Sequence, residues 1–189
     1  RRRPAVVDDV LVAEPVELAA AEPIRDDVRA SLERDPRHVP LQEKQSLVES
    51  YNDVMRRQSD KIVTTQARYG DSFREVTFAN SEGTFIRQER PDVTLLLVST
   101  AREGEANIQM GFESLGWAAG FEAVEGLESK AEAAAQRALD LLEAKPVQGG
   151  VYPVVLNPEL AGVFIHEAFG HLCEADFFYK NPRLQEILK

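Results

Sequence analysis

Cysteine is nearly absent from this chain of 189 residues: Cys173 stands alone, so no internal disulfide can brace the fold. Positive charge is scarce as well. Lys and Arg number 22 against 32 Asp and Glu, giving a formal charge of −10 and a pI near 4.9. That balance argues against a nucleic-acid surface or an anionic-membrane binder, since both want clustered Lys and Arg. The run Arg1–Arg3 is the exception and reads as a solvated end. No uninterrupted apolar run is long enough to span a bilayer. The basic start invites a signal-peptide reading, but Asp8 and Asp9 cut Ala5-Val6-Val7 short, so a cytoplasmic location is expected. Phosphate cradles are missing too, with neither Gly-Lys-Ser/Thr nor a tight Gly-x-Gly-x-x-Gly after a strand. Gly111, Gly116 and Gly120 punctuate a loop that includes Trp117 and are assigned to turns or close packing. There is no initiator methionine, and the chain stops at Lys189 just past its strongest motif, so a piece of a longer protein is expected.

Forty-three per cent hydrophobic composition is enough to bury a core. Val6 to Val16 reads as an extended segment, and Ile24, Val28 and Leu32, at i, i+4 and i+8 after Pro23, suggest a short helix. From Pro40-Leu41 to about Ser59, Leu47, Val48, Tyr51, Val54 and Met55 keep the three–four spacing of one buried helical stripe. Beyond Lys61 the period falls to two. Ile62–Tyr69, Phe73–Phe78, Thr84–Glu89, Val93–Thr100 and Ala106–Glu113 read as strands on short links, hence as an antiparallel sheet. Asn80-Ser81-Glu82-Gly83 is the clearest hairpin, and Leu95-Leu96-Leu97-Val98 reads as a central strand covered on both faces. Ser129-x-x-Glu132 has the form of a capping box before a helix with an alanine face. Pro146 ends that helix, and Gly149-Gly150 joints the chain before a strand at Val151–Leu156. Asn157 and Pro158 then suit the N-cap and first position of another helix. The expectation is an α+β fold, an antiparallel sheet flanked by helices, over residues 1–145, with a second domain opening at 150–189.

That last helix carries the most informative string in the chain, His166-Glu167-Ala168-Phe169-Gly170-His171. Two imidazoles that could share a metal ion, beside a carboxylate that could take a proton from water, are the working parts of a zinc peptidase. The spacing is one residue longer than His-Glu-x-x-His. At about 100° per residue, positions i and i+5 lie about 140° apart, so a regular helix would splay the two rings. A π-bulge around 168–172, eased by Gly170, is the expected remedy. Val163, Phe164, Ile165, Ala168 and Leu172 would supply apolar surroundings that suit a dry site. Cys173 lies two residues from His171 and points about 200° away on a regular helix, which makes it a poor third ligand and a poor nucleophile for a His171-activated dyad. Glu174 and Asp176 read either as partners that orient a ligand imidazole or as a solvated acidic helix end.

These strings, with Tyr152-Pro153-Val154-Val155-Leu156-Asn157-Pro158, Gly162–Ile165 and Glu174-Ala175-Asp176, resemble the TldD/PmbA metallopeptidases, on the TldD side. Asn80–Gly83 and the alanine-rich helix fit as well, so the resemblance covers most of residues 35–180. It implies a zinc-dependent peptidase acting on peptides or unfolded segments, with His166 and His171 as metal ligands and Glu167 as general base. It also implies a third ligand, a cysteine in a later, mostly β domain outside this chain, and pairing with a homologous subunit as a homo- or heterodimer. The chain alone is therefore expected to be inactive or nearly so, with neither nucleic acid nor membrane as partner. The alternative is a non-catalytic interaction and dimerisation module of a TldD/PmbA-type complex.

Overall fold

The computed structural model describes residues 22–187, which fall into two compact units, the chain dividing between Ala144 and Lys145. The extended segment expected at Val6 to Val16 lies outside the described residues. In the first unit the chain runs β1 (Arg25–Val28), α1 (Leu41–Arg56), β2 (Ile62–Ala79), β3 (Phe85–Glu103), β4 (Asn107–Trp117) and α2 (Glu128–Glu143). β3 is central, paired antiparallel to β2 along one edge and to β4 along the other. Short links enforce that direction.

Where a helix was expected near Ile24–Leu32, the chain instead adds β1 to β3 in parallel, Arg25 opposite Phe85 and Val28 opposite Gln88. The Phe85 amide donates to the Ile24 carbonyl at 2.8 Å, and such pairing outweighs a weak local preference in so short a stretch. The sheet is therefore mixed. A second correction concerns the strands themselves: the five short runs fuse into three, because the ladder continues through Gly70–Ser72 and Arg90–Asp92 without a turn. Pro91 is tolerated because it lies between β1 and β4, where one edge of β3 has no neighbour. Likewise Gly111, Gly116 and Trp117 belong to β4 rather than to a loop. The hairpin at 80–83 is as expected, closed by the Asn80 side chain accepting from the Glu82 and Thr84 amides, with Gly83 at φ 99°.

Alternation divides β3 into two unlike faces. Val93, Leu95, Leu97, Ser99 and Ala101 are buried against the helices, whereas Leu96 and Val98 on the other face are only half-buried. The cover expected on both faces is thus present on one. The core joins Tyr51 and Met55 of α1, the inward residues of β3, Phe121, Val124 and the alanines of α2. Tyr51 anchors it. Its hydroxyl donates to the Val124 carbonyl at 2.6 Å and accepts from the Leu127 amide at 3.1 Å, and burial raises its pKa. Helix α2 starts at Glu128, one residue ahead of Ser129, and no side chain caps it, so the expected capping box does not form. Gly111 lets α2 lie close: a Cβ there would stand 2.2 Å from the Ala134 carbonyl oxygen.

In the second unit Val151–Leu156 has no regular secondary structure and pairs with no strand among the described residues, in place of the expected β-strand. Then come α3 (Pro158–Ala168), a 3-10 turn at Gly170–Cys173, α4 (Ala175–Lys180) and α5 (Pro182–Ile187). The Asn157 side chain accepts from the Leu160 amide at 2.8 Å with Pro158 first in the helix, so the start of α3 matches its sequence signals.

Candidate metal centre

α3 ends at Ala168, one residue after it places His166 and Glu167. Phe169 takes φ −136° and ψ −40°, which breaks the helix, and Gly170 opens the tighter 3-10 turn that carries His171. This replaces the expected π-bulge. Widening the helix is one way to bring i and i+5 together; breaking it and rewinding at three residues per turn is another. The His166 and His171 rings meet edge to face, 4.4 Å between centroids.

Donor atoms of His166, Glu167 and His171 all lie within 4.8 Å of one another. Glu167 Oε2 is 3.6 Å from His171 Nε2. On the far side of that ring, Nδ1 is 2.8 Å from Glu174 Oε1. In a neutral imidazole whose Nδ1–H donates to the Glu174 carboxylate, the lone pair is left on Nε2, the nitrogen on the Glu167 side. Of the two acidic residues singled out beside the motif, Glu174 contacts a histidine, whereas Asp176 pairs with Lys180 at 3.2 Å. Cys173 is exposed and not part of the cluster. The enclosing apolar shell expected from the sequence is not closed: Val163, Phe164 and Ile165 are 53 to 58% exposed, Leu172 is 40% exposed and Ala168 is exposed too, because no second layer covers α3 among the described residues.

The first unit carries a different kind of evidence. Residues 34–142 match the family model described as the PmbA/TldA metallopeptidase central domain. The chain belongs to the PmbA/TldD metallopeptidase family. Among PmbA/TldD relatives, a metalloprotease from Synechocystis sp. is 44% identical over 155 residues, covering 82% of this chain and 33% of its own length. One from Methanothermobacter thermautotrophicus is 35% identical over 173 residues, 90% of this chain and 37% of the relative. A zinc metalloprotease TldD homolog from Saccharolobus solfataricus is 31% identical over 116 residues, 61% and 26% respectively. The chain thus spans about a third of the length of these relatives. A solved structure from Thermotoga maritima, described as a modulator of a DNA gyrase, shares the fold at a TM-score of 0.54 and 15% identity, over 65% of this chain and 28% of that one. The family-model match ends at residue 142, so the His166–His171 cluster stands beside it in sequence and is read on its own chemistry.

Proposed function

We propose that the chain is part of a zinc-dependent peptidase, in which residues 150–189 open the catalytic domain, His166 and His171 hold the ion and Glu167 is the general base. The observation that carries this reading is the convergence of two imidazoles and a carboxylate within 4.8 Å. Two imidazole nitrogens and a carboxylate are donor types that suit zinc, and His166 and His171 would hold it. When bound, zinc would act as a Lewis acid toward water and the scissile carbonyl. Glu167, its side chain 65% exposed, is free to take the proton of the attacking water on a carboxylate oxygen and return it to the leaving amine. Glu174 fixes the His171 ring through Nδ1.

Two imidazoles leave a catalytic zinc one protein ligand short of the usual three. That ligand is proposed to come from sequence beyond these residues, so the chain alone holds metal weakly and turns over little or nothing. Peptides or unfolded segments are the proposed substrates, the cytoplasm the compartment and a homologous subunit the partner. None of the described helices is long and apolar enough to cross a membrane. A second reading, a non-catalytic interaction module of a PmbA/TldD-type complex, draws on the exposed apolar side chains around α3. Elemental analysis after dialysis separates the two. Near one zinc per molecule in a chain extended past Lys189, lost in His166→Ala and reduced in the 189-residue form, is the expected outcome. No zinc in any form would leave only the interaction module.

A further inference from the structure

The face of the sheet turned away from α1 and α2 has no cover among the described residues. Ladder register puts Leu96 and Val98 of β3 beside Phe112 of β4, with Ile108 and Met110 on the same side of that strand. Ile108, Met110 and Phe112 are 54, 55 and 49% exposed. Because alternate residues of paired strands share a face, this side also carries Arg68 and Arg74 of β2 and Arg90 and Arg102 of β3. Its acidic groups on the strands are Asp92 and, at the β1 end, Asp26 beside Ile86.

A chain of net charge −10 has thus gathered four arginines against two carboxylates on one exposed surface around an aliphatic stripe. None of the four arginines forms an ion pair among the described residues; Arg90 turns to the Gln88 side-chain oxygen at 2.8 Å. By contrast Arg29, Arg34, Arg37, Arg87 and Arg137 all hold carboxylates. Methionine, aromatic and arginine side chains together are the mixture that protein interfaces favour.

We infer that this face docks an acidic, amphipathic polypeptide segment, whose apolar side chains cover Ile108, Met110 and Phe112 while its carboxylates meet Arg68, Arg74, Arg90 and Arg102. Charge selects this occupant over the others. A second copy laid face to face would oppose arginines to arginines. A single-stranded nucleic acid needs adjacent aromatic platforms for its bases, and the two exposed rings of this face, Phe112 and Phe78, lie opposite Val98 and Ile86, far apart along β3. An anionic membrane would be repelled by the rest of the molecule. The inference goes beyond the metal centre and does not depend on it.

Fluorescence anisotropy on the 189-residue chain, dialysed against chelator, tests it. The probe is a short fluorescein-labelled peptide in which glutamates are interspersed with leucine and phenylalanine. Saturable binding is expected, weakening as salt is raised and falling roughly tenfold or more in Arg68→Glu/Arg90→Glu. The same charge change at exposed Arg183, Arg183→Glu, should leave affinity unaltered, and circular dichroism should show each variant folded. Equal binding of a peptide with lysine for glutamate, tighter binding of a single-stranded oligonucleotide, or no binding at all overturns the inference. So does concentration-dependent self-association that the double arginine variant abolishes. Because metal is absent throughout, none of these results bears on the zinc reading.

Discussion

At Phe169 the backbone abandons the helix, and two residues later the His171 ring stands edge-on to His166 instead of across the helix from it. The approach of the two imidazoles therefore depends on one joint and on what holds the second ring in place. Glu174 is that restraint, through its 2.8 Å contact with Nδ1. Glu174→Ala is expected to weaken zinc affinity by roughly 10- to 100-fold, while Asp176→Ala, whose partners are Lys180 and backbone amides at the start of α4, leaves it unchanged; competition with a chromophoric chelator reads both. Elsewhere Asp35 is held by the Arg37 guanidinium and backbone amide, with a smaller pull from His38, so that its pKa is lowered to about 2. Folding binds this carboxylate in its ionised form, so its contribution is complete above the unfolded value near 3.8 and is lost as the pH falls toward about 2. Acid unfolding followed by circular dichroism should show a shallower loss of stability over that window in Asp35→Asn, which keeps the side-chain acceptor and removes the charge.

Among the elements, α1 and the start of α3 were legible because their signals are local: a three–four apolar stripe in one, Asn157 followed by Pro158 in the other. The limits of the strands were not. Gly70–Ser72 and Arg90–Asp92 look like turns by composition, but the first lies opposite Asp92–Thr94 and the second opposite Ser72–Arg74 in the ladder, and no single stretch of sequence reveals its partner across the sheet. β1 was misread for the same reason, since its strand state is conferred by Phe85–Gln88, sixty residues later. The metal pair was plain in the sequence by residue type, while the break that unites it was not, because the motif fixes the need for an irregularity and leaves its form open. Arg68, Arg74, Arg90 and Arg102 escaped notice for want of register, their common face visible only once the strands are paired. Packing at the element scale turns on Gly111. Gly111→Ala would drive a methyl group into the Ala134 carbonyl and the Ala138 amide of α2, and is expected to cost about 1–3 kcal/mol, read as a lower urea midpoint.

On the scale of the first unit, two layers of unequal extent are pressed together. At about 3.3 Å per residue, the 18 and 19 residues of β2 and β3 reach roughly 60 Å, whereas the 16 residues of α1 or α2, at about 1.5 Å each, reach roughly 24 Å. The helices shelter β3 around Val93–Ala101, where the buried side chains are. Toward the hairpin, the strands are held by their ladder, by β1 and by ion pairs such as Glu75 with Arg87 and Arg29 with Glu89. Such a hairpin is a cantilever: the end near Val93–Ala101 is clamped, the tip near Gly83 is not, and bending loads applied at the tip are resisted mostly by backbone hydrogen bonds. Amide exchange followed by mass spectrometry should find Phe73–Gln88 opening well before Leu95–Ser99, and equal protection of both would show the arm to be as rigid as its root. A partner that gripped the tip would gain leverage over the strand register while the core beneath the helices stayed closed.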